Sequence, residues 1–345
     1  MAMLFVSCSK HSKVKLYEVE KFNTTINGKQ VSLVTLDNGD LMMQVTNYGG
    51  RVVSLWAPGR KGKYANLIAS HDNINDYVNS GLLGATVGRY ASVISNGKIT
   101  IDGTDYELTK NHNGNTVNGG DTEAGKIVWD IVAQNDTAVV FHAVFADGQD
   151  GFPGNLDATM TYTLTSANEL VVSCKATTDA PTVCDITQHL SFNLKGDGDI
   201  LDHDLMINGK FFTAIKSDRL PSGNIRPVKN SPLDFIAAKK IGKDINSDFP
   251  QMQFAGGYDF NYVLGKPFGK IGLAASVVEP VSGRKMEVYT DQSGLQFSAC
   301  ATSTSFVLEP QNFPDAPNQE KFPNAVLRPD EEYNHTCIYK FSVVD

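Results

Sequence analysis

The sequence lacks a long apolar run and a block of like charge, and its few cysteines form no paired motif. No apolar run of roughly 18 residues occurs, so no membrane-spanning helix is expected. The formal net charge is -8, which argues against a nucleic-acid partner because phosphate binding needs clustered Lys and Arg. No Cys-x-x-Cys pair occurs, so neither a zinc site nor a redox motif is expected. Cys174, Cys300 and Cys337 lie in strand-like runs and are expected to be small buried residues.

The first eight residues form an apolar run that ends in Cys8, and the polar stretch 9–13 follows. This pattern resembles the end of a bacterial lipoprotein signal, although it is too short for a full signal with a charged head. A frayed terminus explains it equally well. We expect residues 1–15 to be a flexible tail or signal remnant and residues 16–345 to form one domain. A real signal predicts the bacterial envelope, and otherwise the cytoplasm is expected.

Alternation of apolar and polar residues predicts many strands, and Asn-Gly, Asp-Gly and Ser-Gly turns punctuate them. The clearest predicted strands are 139–145, 157–165, 170–176, 285–290, 296–299 and 336–344. Helical patterns are few, with candidates at 72–79 and 233–239. The fold class predicted by this pattern is all-β, a large sandwich or barrel.

Glu309 stands between a strand-like apolar run, 305–308, and Pro310. Because proline removes a backbone donor, we expect the strand to stop there, which places Glu309 at a rigid strand end beside the core. Partial loss of hydration at such a position suits a carboxylate for proton transfer. The alternative is a structural role, as a turn cap or an ion-pair partner.

His189 and Asp259 are two further ionisable residues in strand-like surroundings. His189 precedes alternating apolar residues, and Asp259 lies between Tyr258 and Phe260. Taken singly, each has a structural explanation, as a satisfied core histidine and a turn aspartate. Together with Glu309 they form a set suited to acid–base chemistry without a cofactor.

Several motifs in the right order give this chain a specific resemblance over nearly its whole length, from about Tyr17 to Val344. They are Asn47–Gly50, Asp150–Gly154, Gly257–Tyr262, Leu308–Gln311, Phe313–Asp315 and Leu327–Pro329. In these stretches the chain resembles the aldose 1-epimerase (galactose mutarotase) family.

The resemblance implies a very large antiparallel β-sandwich that interconverts the α and β anomers of free sugars without a metal or an organic cofactor. It implies that Glu309 is the base and His189 the acid in opening and closing the sugar ring. It also implies that Asp259 and Gln292 bind sugar hydroxyls.

The chain departs from the family pattern at two sugar-binding positions. Val93 stands where the family usually has Arg, and Asn118 stands where it has His. Arg89 matches the family's Gly-Arg pair rather than its sugar-binding Arg, and we include Asn118 and Arg89 among the candidate substrate-binding residues. An apolar wall at Val93 predicts weak activity on galactose and glucose and a better fit for a pentose or 6-deoxyhexose. His112 is near enough in sequence to reach into the gap, although exposure is the stronger expectation for it.

Two other functions remain open from the sequence. One is a carbohydrate-binding protein that keeps the pocket but catalyses poorly, which the two departures favour. The other is an epimerase for a sugar phosphate, which the absence of Arg at position 93 disfavours. The sequence names neither the sugar nor the oligomeric state.

Overall fold

A computed structural model describes residues 14–344 of the chain. Cys8 and the polar stretch 9–13 lie outside the described residues. Of the predicted tail 1–15, only residues 14 and 15 are described, and neither is in a helix or a strand.

The described residues form 29 strands, most of them short. The first ten are β1 Thr24–Ile26, β2 Lys29–Val31, β3 Leu33–Asp37, β4 Met42–Thr46, β5 Arg51–Pro58, β6 Tyr64–Asn66, β7 Thr86–Val87, β8 Val93–Ile94, β9 Lys98–Ile101 and β10 Thr104–Glu107. The next ten are β11 Thr116–Val117, β12 Asp130–Gln134, β13 Ala138–Phe145, β14 Leu156–Leu164, β15 Glu169–Thr178, β16 Thr182–Val183, β17 Thr187–Gln188, β18 Ser191–Phe192, β19 Asp204–Ile207 and β20 Gly209–Ile215. The last nine are β21 Pro221–Pro227, β22 Lys239–Lys240, β23 Tyr258–Leu264, β24 Gly272–Val278, β25 Arg284–Thr290, β26 Gly294–Ala299, β27 Phe306–Gln311, β28 Val326–Leu327 and β29 Tyr333–Val343.

Helices are few and short in this part of the chain. The α-helices are α1 Ile74–Asn79 and α2 Pro250–Ala255. The 3-10 helices are Val19–Phe22, Arg60–Gly62, Ser95–Gly97, Ala124–Lys126, Gln149–Gly151, Ile241–Lys243 and Ala316–Asn318. Among the described residues, no helix has both the length and the apolar character needed to cross a bilayer.

Two large antiparallel sheets dominate the fold. The nine-stranded sheet has the order β12-β13-β14-β15-β29-β25-β24-β19-β22, and the six-stranded sheet has the order β18-β27-β26-β23-β20-β21. A four-stranded sheet, β3-β4-β5-β6, and several two-stranded pairs complete the architecture. The predicted all-β antiparallel sandwich is therefore confirmed.

The main hydrophobic core lies between the two large sheets and takes side chains from both. The phenol of Tyr339 on β29 donates to the carbonyl of Leu308 on β27 at 3.2 Å. The ring centroids of Phe192 on β18 and Tyr339 lie 5.1 Å apart. Strict alternation along β14 buries every second residue from Leu156 to Leu164, as the sequence pattern predicts. Each sheet thus gives one face to this core.

One of the two predicted helices forms. Helix α1 begins after Asn73, whose side chain accepts a hydrogen bond from the backbone N–H of Asp76. The helix predicted at 233–239 is wrong. Leu233 and Phe235 are both buried, a two-residue spacing typical of extended chain, and their carbonyls accept from Tyr262 and Ile207 rather than within a helix.

Strand β27 runs through Pro310 to Gln311, so the prediction that proline ends the strand is wrong. Pro310 is the cross-strand neighbour of Leu295, and its carbonyl accepts from the Thr187 hydroxyl at 2.6 Å. The N and C=O of one strand residue point to the same side. The N–H that proline lacks would therefore point away from β26. Its absence removes no hydrogen bond between β27 and β26.

Two of the three cysteines that were expected to be buried are buried. Cys174 and Cys337 are buried in the main core. Cys300 is partly exposed, because it lies just beyond the end of β26, where its Sγ contacts the hydroxyl of Ser303. The expectation of burial is wrong for Cys300.

Candidate active site

Strand β23 separates apolar and polar side chains onto opposite faces of the six-stranded sheet. Tyr258, Phe260 and Tyr262 are buried in the main core. Asp259 and Asn261 alternate with them and so lie on the outer face, away from the nine-stranded sheet. The outer face thus acquires polar groups held by a rigid strand.

The two neighbouring strands continue the same pattern. On β26, Leu295 and Phe297 are in the core and Gln296 lies on the outer face. On β27, Leu308 is in the core and Glu309 lies on the outer face. Three adjacent strands therefore turn polar side chains to one surface.

The strand register aligns these side chains in a row. Asn261 is the cross-strand partner of Gln296, and Gln296 is the partner of Glu309. Neighbouring strands lie about 4.8 Å apart, so side chains on adjacent strands in this row are within reach of each other. We call Asp259, Asn261 and Gln296 the polar floor. Glu309 stands at one end of it.

His189 lies between β17 and β18 and is fixed by its backbone. Its N–H donates to the carbonyl of Ala85 at 2.8 Å, and its own carbonyl accepts from the N–H of Gly84 at 3.1 Å. Its Nδ1 lies 2.9 Å from Oε2 of Glu309. The side chain of His189 is 29% exposed, whereas that of Glu309 is 6% exposed. The carboxylate is sheltered, and the imidazole remains accessible to a ligand.

The surroundings of His189 favour its protonated form. Burial alone would lower its pKa, but the hydrogen bond to Glu309 and the negative charge of that carboxylate raise it, and the charge of Asp259 adds to the effect. The net result is a pKa above the ordinary value for histidine. An imidazolium held next to a carboxylate is a ready proton donor.

Asp259 is held by two side chains. Nε2 of Gln296 donates to its Oδ1 at 2.7 Å, and Nη2 of Arg219 donates to its Oδ2 at 2.8 Å. Arg219 comes from the loop between β20 and β21. Both carboxylate oxygens are thereby oriented before any ligand binds.

A cavity of about 340 Å³ opens over the polar floor. Val93 and Val117, from the paired strands β8 and β11, form one wall, and residues 218–221 form another. His189 and Glu309 adjoin this cavity without lining it, since Glu309 is the cross-strand partner of Gln296. The volume is in the range of small-molecule sites.

The floor of the cavity carries polar atoms without protein partners. Both amide atoms of Asn261 and Oε1 of Gln296 are buried and make no hydrogen bond. A Cβ at Gly294 would lie 2.2 Å from Oδ1 of Asn261, so glycine leaves this amide the space it occupies. Buried polar groups are nearly always paired. A hydroxyl-rich ligand would supply the missing partners.

The other three predicted binding residues are not among those that line this cavity, although Asn118 borders it, because it follows Val117 and bonds to Ser92. Gln292 lines a different cavity, together with Phe268. Arg89 is buried, and its guanidinium donates to the carbonyls of residues 153 and 154. The Asn118 side chain accepts from the N–H of Ser92 at 2.9 Å. We therefore leave Gln292, Arg89 and Asn118 out of the proposed site.

Sequence reasoning missed three residues that line the cavity. Asn261 and Gln296 alternate with core aromatic residues on their strands, so a period-two reading would have found them. Arg219 lies in a loop and gave no sequence signal. His112, expected to be exposed, is exposed and also lines the cavity.

The described residues contain no group of three or more His, Cys, Asp or Glu side chains placed to hold a metal ion.

Comparison with known proteins places the chain among sugar epimerases. A family model for aldose 1-epimerase matches residues 32–340. The chain is 34% identical over 334 residues to galactose mutarotase of Rattus norvegicus, covering 92% of this chain and 95% of that protein. It is 32% identical over 337 residues to aldose 1-epimerase of Escherichia coli strain K12, covering 91% of this chain and 96% of that protein.

The structural comparison agrees. A crystal structure of an aldose epimerase homologue from C. elegans superposes with a TM-score of 0.82 at 25% identity, covering 91% of this chain and all of that one. Since both the family match and the relatives extend over most of the sequence, the chain belongs to the aldose 1-epimerase family and is an isomerase.

Proposed function

We propose that the cavity above the polar floor is the active site, where His189 and Glu309 interconvert the α and β anomers of a free, neutral aldose. The observation that carries this proposal is the 2.9 Å contact between Nδ1 of His189 and Oε2 of Glu309, at the end of a floor of unpaired amides. An acid and a base in contact, beside groups that bind hydroxyls, fit ring opening at an anomeric carbon.

The reaction needs two proton transfers. Glu309, as a carboxylate, takes the proton of the C1 hydroxyl while His189, as an imidazolium, gives its proton to the ring oxygen. The bond between C1 and the ring oxygen breaks, and C1 becomes an aldehyde. After rotation about the C1–C2 bond, the hydroxyl formed from the ring oxygen adds to the other face of the aldehyde. Its proton returns to His189, and the proton held by Glu309 returns to the oxygen on C1. Each positioned transfer supplies roughly 10²–10⁴-fold in rate.

The geometry assigns atoms to these roles. Oε2 of Glu309 accepts from Nδ1 of His189, which leaves Oε1 to act as the base. Nε2 of His189 has no protein partner in the part of the chain that the structure describes, so its proton is available to the ring oxygen. The hydrogen bond and negative charge that raise the pKa of His189 favour the form that carries this proton.

The charges around the cavity favour a neutral sugar over a sugar phosphate. Its lining contains two carboxylates, Asp218 and Asp259, against one guanidinium, Arg219. Arg219 is already paired with Asp259. Carboxylates therefore outnumber cations among the described residues that line the cavity, which disfavours a phosphate. Galactose, which appears in the name of the rat relative, is the first candidate substrate.

The direct test is anomer exchange. Freshly dissolved α-galactose, α-glucose and a panel of pentoses and 6-deoxyhexoses would be followed by polarimetry or by NMR exchange between anomer signals. We expect exchange well above the spontaneous rate for at least one sugar, with Glu309→Gln as the inactive control. Tight sugar binding without any rate enhancement would instead support the sugar-binding alternative.

Two further points are separate proposals. The main core takes residues from Leu36 to Phe341, which supports one domain over 16–345 and predicts a single unfolding transition.

The apolar run before Cys8 supports a lipid anchor in a bacterial envelope. Labelling the native protein with a fatty-acid analogue, with Cys8→Ser as the control, tests it. A native protein that takes up no label removes the idea.

A further inference from the structure

We propose that Arg219 is a substrate-binding residue that holds the hydroxyls of the sugar farthest from C1. The inference rests on the proposed active site and deepens it, because it names the group that decides how the non-reacting end of the sugar is held.

Arg219 is the one Lys or Arg among the described residues that line the cavity. Val93 and Val117 also line the cavity, and their side chains have no donor. Charge-assisted hydrogen bonds are about twice as strong as neutral ones. Arg219 is therefore the one guanidinium or ammonium donor that the described lining offers to a sugar hydroxyl.

A tight turn presents this residue. The N–H of Lys216 donates to the carbonyl of Leu220 at 2.8 Å, and the N–H of Arg219 donates to the carbonyl of Lys216 at 2.9 Å. Arg219 has a φ of 68°, a left-handed conformation that costs a residue with a Cβ roughly 1–2 kcal/mol. The two hydrogen bonds of the turn hold the residue in this conformation.

Asp259 orients the guanidinium of Arg219 but uses only part of its hydrogen-bond donors. One of its five N–H groups is used by Asp259, whose other oxygen is fixed by Gln296. In the part of the chain that the structure describes, the other four have no protein acceptor. The side chain is 58% exposed, so these donors face the cavity opening and solvent.

The sheet places Arg219 far from the reacting atoms. Glu309 is on β27 and Asp259 is on β23, with β26 between them. Two strand spacings separate them by roughly 10 Å. A sugar whose C1 lies at Glu309 therefore extends over the unpaired amide of Asn261, with its distal hydroxyls toward Asp259 and Arg219.

The first test compares two arginines of the same β-hairpin. Arg219→Ala is expected to raise KM for the best aldose by roughly 10-fold or more, with kcat changed less than about threefold, because only binding is lost. Arg226→Ala, an exposed arginine on β21 that does not line the cavity, is the matched control and should change neither constant. Arg219→Lys should recover part of the loss, because Lys keeps the charge but lacks the planar fork.

The second test uses deoxy sugars to locate the contact. The effect of Arg219→Ala on KM should shrink to less than about threefold for the 3-deoxy or the 4-deoxy sugar, since the hydroxyl that Arg219 binds is already missing. It should persist for the 2-deoxy sugar, whose missing hydroxyl is next to C1. An equal effect on all three sugars would overturn the proposal, since Arg219 would then act only by supporting Asp259.

Failure of this inference is distinguishable from failure of the proposed active site. If Glu309→Gln is inactive but Arg219→Ala behaves like Arg226→Ala, the active site stands and the role of Arg219 is wrong. If Glu309→Gln retains full activity, the active site itself is wrong, whatever Arg219 does. Circular dichroism and thermal unfolding of each variant confirm that it is folded.

Discussion

His189 and Glu309, separated by 120 residues in the chain, meet with Nδ1 2.9 Å from Oε2. The carboxylate is supplied by β27 and the imidazole by the short segment between β17 and β18. Glu309 is almost fully buried and His189 is not. In the proposed mechanism, this contact couples a sheltered base to an accessible acid.

Glu309→Gln should abolish most of the activity while keeping the fold. The amide preserves the size of the side chain but cannot accept the C1 proton. We expect the rate of anomer exchange to fall by at least roughly 10², with little change in thermal unfolding. NMR exchange between the two anomer signals measures the rate. A near-normal rate would place the base elsewhere.

His189→Asn should also lose activity, and its effect should not multiply with that of Glu309→Gln. Both groups serve one proton circuit, so the second substitution removes little that the first has left. The double variant is expected to be within about tenfold of the slower single variant. A double variant slower by the full product of the two single effects would argue for independent roles.

The stability of the protein should fall as pH rises from about 4 to 7, in part because of Asp185. This carboxyl is fully buried and accepts from the backbone N–H of Asn312 at 3.0 Å. Burial raises its pKa to about 7, the bond from Asn312 opposes the shift, and the charge of Glu309 adds to it. The folded state therefore keeps a proton that the unfolded state loses near pH 4.

Stability falls as pH rises because the pKa of Asp185 is higher in the folded state than in the unfolded state. The contribution is fully present below about pH 4 and is lost as pH approaches 7, a change on the order of 4 kcal/mol. Asp185→Asn should therefore cost more stability at pH 4.5 than at pH 8 in urea unfolding. Asp136→Asn, at an exposed position, is the matched control. An equal cost of Asp185→Asn at both pH values would contradict the expectation.

For the activity of the variant Val93→Arg/Asn118→His on galactose, the sequence and the structure give different expectations. The sequence predicts a gain on galactose, because the variant restores the family residues. In the structure, Asn118 has a φ of 55° and its side chain accepts from Ser92, while Arg219 already supplies a guanidinium to the cavity. From the structure we expect kcat/KM on galactose to rise less than about twofold.

Placing an arginine at position 93 in a variant that lacks Arg219 tests whether the two positions can replace each other. In an Arg219→Ala background, Val93→Arg should recover much of the lost affinity, because it returns a guanidinium to the same cavity from the other wall. Steady-state kinetics on galactose measures both variants. A large gain from Val93→Arg/Asn118→His in the otherwise natural protein would show that Arg219 does not compensate for Val93.

The sequence by itself determined the class of the fold and which face of each long strand is apolar. Both depend on a period of two residues, which is a local property of the chain. It also singled out His189, Asp259 and Glu309, whose ionisable groups interrupt otherwise apolar strands. Gln296 alternates with the core residue Phe297, but the residue predicted from the resemblance was Gln292, which precedes β26 and lines a different cavity.

The tertiary structure decided which of these residues meet. Cross-strand register brings Gln296 next to Glu309, and a turn between β20 and β21 brings Arg219 onto Asp259. Contacts of this kind join segments distant in sequence and depend on strand pairing that no local pattern encodes. For the same reason Pro310 stays within a strand, since only the sheet determines that its missing donor would face no neighbouring ladder.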